Sequence, residues 1–321
     1  MVTIFDVAKA AGVSKSTASR AISGQGYVSQ ASKAKVLTAA AKLGYTPSIL
    51  ARQFRGQSTK NIGFIARTYY PAVGELLKYC TNILKKYGYG VTIYFTKDKA
   101  EEANILESFR LHALDGLFFV ANRNNWSYID RYTEYGPIVT WRRTDNQKVY
   151  SSYIDHYPLY KQILDYIYTE YGEINIGHVL NDSAKNNTKA RLRAISEYTK
   201  LHPNSDNSWI VYYPEQENAG QQAALNYLTT KQTIDAVIVY SDYVAAEFMS
   251  TLRVNGINIP EELKLFGFDN SDFGKFMNIS TIDTYLAIQA KNLTNRIICT
   301  LEHETFKEIT IVPKVVIRQT C

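Results

Sequence analysis

A stretch near the amino terminus, residues 14–24, is rich in side chains that can donate hydrogen bonds. A short helix is predicted directly after Ser14, because a serine hydroxyl at the N-cap accepts a free backbone N–H of the first turn. Apolar residues recur along it at helical spacing, so one face packs inward and the other carries donors. Lysine and arginine read guanine edges in the major groove, and serine or threonine bonds either kind of partner. The predicted inward residues are Ala18, Ala21 and Ile22, and the predicted DNA contacts are Ser14, Lys15, Ser16, Thr17, Ser19 and Arg20.

Polar and aromatic side chains also follow the ends of predicted strands in the rest of the chain. A polyhydroxylated ligand requires rings for its apolar faces and forked polar groups for its hydroxyls, so the set predicts a sugar site. A single member is equally explained as a turn or capping residue, and Asp242 could be the N-cap of a helix over 243–254. The loop residues include Arg67, Tyr69, Tyr70, Asn122, Arg123, Trp141, Arg142, Asn187, Ser241, Asp242 and Asp269.

Two of these carboxylates, Asp242 and Asp269, offer an enzymatic alternative, since glycosidic chemistry uses paired carboxylates. Neither has an acid and base arrangement beside it, and no P-loop, GxGxxG, GxSxG or metal-ligand spacing occurs. The five histidines are scattered, and the three cysteines show neither disulfide nor zinc spacing. We therefore predict no catalytic residue, no metal and no cofactor, and a sugar-acting enzyme is the weaker alternative.

The composition is that of a globular protein, with 45% of the 321 residues hydrophobic and 21% charged. This length allows two or more domains. No long apolar run is present, so no membrane span is predicted, and the amino terminus lacks the residue order of a signal peptide. A cytoplasmic protein is expected.

Positive charge is concentrated at the amino-terminal end of the chain. Residues 1–60 hold nine lysines and arginines against one aspartate, which leaves 27 against 29 in the remainder. Such an excess in a small domain is expected to contact the phosphate backbone of double-stranded DNA and to bind less tightly as salt rises. Alone, the donor-rich helix also fits a solvated amphipathic surface, and the charge favours the DNA-binding interpretation.

Three short helices are predicted to position the donors. Thr3 and Asp6 mark the start of the first helix, Ser14 that of the second and Ser29 that of the third, and Ser29 is also a predicted DNA contact. We place a helix-turn-helix DNA-binding domain at residues 1–46, a hinge helix and linker at 47–59, and a two-lobed core at 60–321. The predicted inward faces are Ile4, Phe5, Val7 and Ala8 in the first helix and Val36, Leu37, Ala40 and Leu43 in the third.

The hinge contains a predicted helix of barely two turns between Pro47 and Gly56, too short to be stable unless something packs on it. Phe54 either buries this helix on the next domain or enters a minor-groove base step as an apolar wedge. The flanking Arg52 and Arg55 favour the wedge and are themselves predicted DNA contacts.

From residue 61 onward, short apolar strands alternate with polar loops and helices in two series, over 62–141 and 174–268. Runs of this kind predict buried parallel strands. Two series predict two doubly wound α/β subdomains, with a ligand bound in the cleft between them at the carboxyl ends of the strands.

Several motifs together resemble the LacI/GalR (lactose-repressor/galactose-repressor) family of bacterial transcription regulators. The resemblance covers essentially the whole chain and implies a periplasmic-binding-protein-like core behind an all-α headpiece. It also implies a homodimer whose headpieces read two half-sites of double-stranded operator DNA, and a core that responds to a small effector. The motifs that carry it include Ile4-Phe5-Asp6-Val7-Ala8, Gly12-Val13-Ser14, Thr17-Ala18-Ser19-Arg20, Leu43-Gly44-Tyr45, Ile259-Pro260 and Gly267-Phe268-Asp269.

The resemblance assigns roles on the DNA side position by position. Lys15, Ser16 and Arg20 match the family's base-reading positions on the second helix. Phe54 matches a hinge position at which the family usually has a leucine that wedges into the central base step.

In the core, Arg191 and Asp269 match positions that grip effector hydroxyls in the family. Ser241-Asp242 occupies the family's Asn-Asp turn, and Glu215 falls where relatives often present an aromatic platform. The complete set of effector contacts implied is Tyr69, Asn122, Trp141, Asn187, Arg191, Glu215, Ser241, Asp242 and Asp269.

Local features such as Gly136-Pro137-Ile138 and Thr144-Asp145-Asn146 look more like the maltose-type repressors of Gram-positive bacteria. The family resemblance implies a sugar or sugar-phosphate effector bound between the two core subdomains, and this local likeness implies an α-glucoside. A leucine-rich tail of the kind that forms tetramers is absent, so a homodimer is expected. A transport-type sugar-binding protein is a further alternative, and the basic headpiece counts against it.

Overall fold

A computed structural model describes residues 2–24, 26–45, 58–214 and 217–321. The chain divides into two compact units, a small amino-terminal one and a large one that begins at Lys60. No helix within the described ranges is long and apolar enough to cross a lipid bilayer.

The small unit consists of the three predicted helices, α1 (Ile4–Ala11), α2 (Lys15–Ser23) and α3 (Gln30–Leu43). At the start of α1, the Asp6 carboxylate accepts from the Thr3 backbone N–H at 2.8 Å and from its hydroxyl at 2.7 Å. Gly12 ends α1 at φ 64°, a left-handed conformation that costs glycine little. The predicted starts of the first and second helices are therefore observed.

The core of this unit is built from small side chains, which lets three short helices approach closely. Three residues predicted to face inward are exposed, because the third helix turns Leu37 and Leu43 outward and the first turns Phe5 outward, with 60% of its surface exposed. In α3, Ala39 takes the inward position, since it lies one turn after Val36. The buried residues are Val7, Ala8, Ala11, Ala18, Ala21, Val36 and Ala39.

The large unit has two lobes, and the first is organised around a parallel five-stranded sheet of order β2-β1-β3-β4-β5. Its strands are short and its centre is apolar, with Phe64 stacked on Phe118 at a centroid distance of 4.3 Å. The elements are β1 (Asn61–Ala66), α4 (Pro71–Lys86), β2 (Gly90–Phe95), α5 (Lys99–Arg110), β3 (Gly116–Phe119), α6 (Trp126–Ile129), a 3₁₀ helix (Asp130–Tyr135), β4 (Ile138–Thr140) and β5 (Tyr150–Ser151).

The second lobe has a parallel four-stranded sheet of order β7-β6-β8-β9, covered by helices on both faces. The predicted fold class, an all-α headpiece with two doubly wound α/β subdomains, is confirmed. The elements are α7 (His156–Tyr171), β6 (Ile176–Leu180), α8 (Asn186–Leu201), β7 (Ile210–Tyr212), α9 (Ala219–Thr229), β8 (Ala236–Val239), α10 (Asp242–Val254), β9 (Lys264–Phe266), α11 (Asp272–Phe276) and β10 (Thr281–Asp283).

The carboxyl-terminal part of the chain returns to the first lobe, which the two consecutive series of strands did not predict. Helix α12 (Leu286–Leu301) buries Leu293 and Ile297 against the first-lobe core. The chain then crosses back, and β11 (Lys314–Val316) pairs antiparallel with β10 in the second lobe. The lobes are therefore joined by three crossings, which follow β5, β10 and α12.

Candidate functional site

Helix α2 presents the predicted donors outward. Lys15, Ser16 and Arg20 are exposed, whereas Ala18 and Ala21 are buried against the other two helices. Ile22, predicted inward, is half-buried and packs on the same core. Thr17 and Ser19 are also half-buried and lie next to the exposed donors along the helix. The helix therefore has the two faces that a major-groove reader needs.

Two of the predicted DNA contacts also serve as helix caps. The Ser14 Oγ accepts from the Thr17 backbone N–H at 3.1 Å and lies 2.9 Å from its hydroxyl oxygen. The Ser29 Oγ accepts from the Ser32 backbone N–H at 3.2 Å, so Ser29 starts α3 as predicted. Both side chains stay exposed, but part of their hydrogen-bonding capacity is used within the protein.

Two exposed aromatic residues beside the donors were not predicted as functional. The Lys15 ammonium lies 4.2 Å from the centroid of the Phe5 ring, a cation–π contact that holds the lysine at the start of α2. Tyr27, in the loop after α2, is 91% exposed. Neither ring could be selected from the sequence, because its exposure depends on how the three helices pack.

Every described lysine or arginine of the small unit is exposed. They therefore keep their charge in solvent, where phosphates can reach them. The predicted contacts Arg52, Phe54 and Arg55 lie outside the described residues. The exposed cations are Lys9, Lys15, Arg20, Lys33, Lys35 and Lys42.

In the large unit, Arg191 on α8 stands at the centre of a polar cluster in the second lobe. Only 3% of its surface is exposed. Its guanidinium lies 4.2 Å from the centroid of Phe268, and Nη2 donates to the Tyr240 carbonyl at 3.1 Å and to Nδ1 of His156 at 3.0 Å. Among the described residues, Nε has no hydrogen-bond partner.

His156 joins Arg191 to the predicted contact Asn187, and sequence reasoning had not selected it. Burial lowers the pKa of His156 well below 6.5, and the charges of Arg191 and Arg142 lower it further. The ring is therefore neutral, and because Nδ1 accepts from Arg191, Nε2 carries the proton. The amide Nδ2 of Asn187 lies 3.0 Å from Nε2 of His156. Exchanging the amide nitrogen and oxygen of Asn187 gives the Nε2 proton an acceptor at this position.

Asp269 follows β9 and lies close to Arg191. Its backbone has φ 109° and its N–H donates to the Ile282 carbonyl at 3.1 Å. Burial raises the pKa of Asp269 well above 3.8, the carboxylate of Asp242 acts in the same direction, and the charge of Arg191 opposes both. No described residue donates a hydrogen bond to its carboxylate, which leaves both oxygens for a ligand.

Asp242 is tied into the protein and does not cap its helix. The N-cap of α10 is Ser241, whose Oγ accepts from the Val244 N–H at 3.4 Å, so the N-cap interpretation of Asp242 is wrong. One Asp242 oxygen accepts from the Ser271 N–H at 2.7 Å and the other from the Thr281 hydroxyl at 2.7 Å. A Cβ on Gly267 would overlap this fully buried carboxyl group, so only glycine fits there.

Asp242→Asn is expected to flatten the pH dependence of core stability. Burial raises the pKa of Asp242 from 3.8 to about 7, so the native state binds the proton more tightly than the unfolded chain does. The free energy of unfolding therefore falls as the pH rises through this window. Since one pKa unit is worth about 1.4 kcal/mol, we expect a loss on the order of 2–4 kcal/mol between pH 4 and pH 8.

Urea unfolding followed by tryptophan fluorescence measures this loss. All three tryptophans, Trp126, Trp141 and Trp209, lie in the large unit, so the signal reports on the core alone. Asparagine retains the contacts, because Oδ1 accepts from Ser271 while Nδ2 donates to Thr281. In Asp242→Asn the free energy of unfolding still falls slightly with pH because of Asp269. A fall with pH as steep as that of the native protein would contradict the prediction.

The first lobe contributes the aromatic members of the predicted set. The Trp141 indole N–H donates to Gln289 of α12 at 2.7 Å, which fixes the ring where β4 ends. Tyr69 is 63% exposed and packs on Gly74, and the Asn122 amide donates to the Asn124 carbonyl at 2.7 Å. The predicted contact Glu215 lies outside the described residues.

The comparisons with known proteins agree with both units. Residues 3–48 match the family described as bacterial regulatory proteins, lacI family, and residues 169–321 match a periplasmic binding protein-like domain. The NTD biosynthesis operon regulator NtdR of Bacillus subtilis is 28% identical over 293 residues, which cover 88% of each chain.

Two solved structures share the fold. A crystal structure of the lac repressor dimer bound to operator and the anti-inducer ONPF has a TM-score of 0.83 at 18% identity and covers 99% of this chain and 98% of that one. A regulator from Lactobacillus casei with bound sucrose has a TM-score of 0.71 at 20% identity and covers 81% of this chain and 99% of that one.

A helix-turn-helix unit joined to a two-lobed ligand-binding unit defines a DNA-binding transcription regulator rather than an enzyme. Residues 3–48 therefore carry a DNA-binding domain of the lacI family, and the relatives that are similar over most of the chain are transcription regulators.

Proposed function

We propose that the protein is a repressor of carbohydrate-utilisation genes that binds a near-palindromic operator as a homodimer. In this proposal α2 of each protomer lies in the major groove, and a small carbohydrate bound between the core lobes controls DNA affinity. A protein with this role acts where the DNA is, so we place it in the cytoplasm.

The observation that carries the DNA-binding part is the division of α2 into a packed face and a donor face. Lys15, Ser16 and Arg20 stand exposed on a helix anchored by Ala18 and Ala21. Base edges are read by side chains of these types from a helix held at a fixed position. The surrounding cations add sequence-independent affinity through the phosphates.

The effector part rests on the polar cluster of the second lobe. Arg191 has a buried Nε without a described partner. Asp269 lies within its electrostatic reach, and no described residue donates a hydrogen bond to its carboxylate. Buried polar groups of this kind are stabilised when a ligand supplies the missing hydrogen bonds. Sugar hydroxyls donate to a carboxylate and accept from a guanidinium, and the bound sucrose of the Lactobacillus casei regulator supports the same ligand class.

Coupling between the two sites is assigned to the hinge. We propose that the segment 47–59 forms its helix only when paired in the minor groove, with Phe54 as the wedge and Arg52 and Arg55 on phosphates. Closure of the lobes on an effector changes the spacing of the two hinges. A coupling of about 1–3 kcal/mol changes operator occupancy from several-fold to about a hundredfold.

The proposal is tested by a thermal-shift screen of the full-length protein against mono- and disaccharides, α-glucosides included. A ligand that binds only the folded state raises the melting temperature, and active compounds are then added to operator-binding assays. We expect at least one carbohydrate to shift both the melting temperature and the operator affinity. Binding of a carbohydrate with no effect on operator affinity would instead indicate a sugar-binding protein without a regulatory role.

A further inference from the structure

Three arginines follow three strands that are neighbours in the first-lobe sheet. Arg67 comes directly after β1, Arg123 shortly after β3 and Arg142 shortly after β4. Because β1, β3 and β4 are adjacent and parallel, their carboxyl ends meet at one edge of the sheet. We refer to these three residues as the arginine triad.

Each guanidinium of the triad is held by a backbone carbonyl at this edge. Arg67 donates to the Asn122 carbonyl from Nε at 3.2 Å and from Nη2 at 2.6 Å, and Arg123 donates to the Thr96 carbonyl from Nε at 3.1 Å and from Nη2 at 2.7 Å. Arg142 donates from Nε to the Val120 carbonyl at 2.8 Å. Within the described residues, Nη1 of each arginine has no protein acceptor.

The positive charge of the triad is only partly balanced nearby. No carboxylate of the described residues lies within 4.0 Å of any of the three guanidinium groups. Burial lowers the pKa of Arg67, and so do the charges of Arg123 and Arg142, which shows that the three are close. The carboxylate of Glu102 opposes this effect and offsets part of the charge of the triad, while its oxygens accept the backbone N–H of Arg123 at 2.6 Å and of Asn124 at 2.7 Å.

The triad adjoins the polar cluster of the second lobe. His156 follows the first crossing, and its pKa is lowered by the charges of both Arg142 and Arg191. Arg142 also donates from Nη2 to the Tyr70 hydroxyl at 2.9 Å, at the start of α4. One ligand in the cleft can therefore contact Arg191 and Asp269 on one side and the triad on the other.

We propose that the arginine triad binds the phosphate group of a phosphorylated sugar, whose hydroxyls occupy the Arg191 and Asp269 side of the cleft. This inference rests on the proposed function and specifies its ligand class. Arginine forks bind phosphate through charge-assisted hydrogen bonds. Because Nε and Nη2 of each arginine already donate to the protein, each offers Nη1, and three such donors match the three terminal oxygens of a phosphate monoester, whereas a carboxylate has only two.

The experiment compares matched probes on the full-length protein by isothermal titration calorimetry at constant ionic strength. The probes are glucose with glucose 6-phosphate, maltose with maltose 6′-phosphate, and inorganic phosphate. At least one phosphorylated sugar is expected to bind more tightly than its neutral partner, and Arg142→Gln is expected to weaken it by about 10- to 100-fold. The neutral partner is expected to bind Arg142→Gln and native protein alike.

Two variants control for other effects of charge. Arg253→Gln removes an exposed arginine of α10 and is expected to leave binding of the phosphorylated sugar unchanged. Lys314→Gln, which removes an exposed lysine of β11, is expected to do the same. Equal affinity of phosphorylated sugars for Arg142→Gln and native protein overturns the subsite, as does binding of neutral sugars alone. Failure of every sugar, neutral or phosphorylated, would contradict the proposed function itself.

Discussion

Asp269→Ala is expected to abolish the effect of the effector on operator binding and to leave operator affinity without effector unchanged. The carboxylate is desolvated, lies next to the charge of Arg191 and receives no hydrogen bond from the described residues. Hydrogen bonds to charged groups contribute about 1.5–3 kcal/mol each, so loss of two ligand hydroxyl contacts weakens the effector by about 100-fold or more. The mutation is distant in sequence from α2 and changes nothing on its donor face.

A second variant separates loss of the charge from backbone strain. Asp269 has φ 109°, where alanine is strained, and asparagine tolerates positive φ better. Asp269→Asn keeps the shape and is expected to lose the response as well. Asp165→Ala, which removes an exposed carboxylate of the same lobe paired with Lys161, is expected to respond normally. A normal effector titration of Asp269→Asn would remove Asp269 from the site.

Arg20→Ala is expected to weaken operator binding strongly and to relax the base preference at one position of each half-site. A bidentate contact to guanine contributes about 1–3 kcal/mol, and a homodimer loses it twice, so the operator affinity falls by about 2–6 kcal/mol. The helix itself should persist, because Arg20 is exposed and its α2 neighbours Ala18 and Ala21 carry the packing.

Binding to a library of randomised operators measures both effects together. Lys42→Ala, which removes an exposed charge from the last turn of α3, is the matched control and is expected to keep the base preference. If Arg20→Ala instead weakened all sequences equally, its contact would be to a phosphate and the assignment of Arg20 to a base would fail.

The parts of the fold that depend on local chemistry could be predicted from the sequence. Ser14 and Ser29 start helices because their hydroxyls accept backbone N–H groups, and the apolar runs became parallel strands. The outward position of Leu37 could not be predicted, because Ala39 and Leu37 are both apolar and only tertiary packing selects between them. The return of α12 to the first lobe likewise depends on contacts between distant segments.

The candidate site shows the same division. Arg191 and Asp269 follow from their motif positions, but His156 does not, since its role arises where the first crossing brings it beside Arg191. The three arginines of the triad were among the residues predicted to follow strands. Their combined excess of positive charge arises only when the three strand ends come together in the sheet. Charge balance around a set of residues is a property of the assembled sheet, not of any one loop.

The three crossings between the lobes restrict how the core can open. A single connection would let one lobe rotate in any direction. With three connections, two of them extended by the paired strands β10 and β11, we expect rotation about one shared axis to be favoured over sliding. A small ligand bound at a short distance from that axis then stabilises either the open or the closed arrangement of the lobes. Such a rotation would move the far ends of the lobes by a larger distance, so we expect the core to convert the contact of one small ligand into a larger displacement.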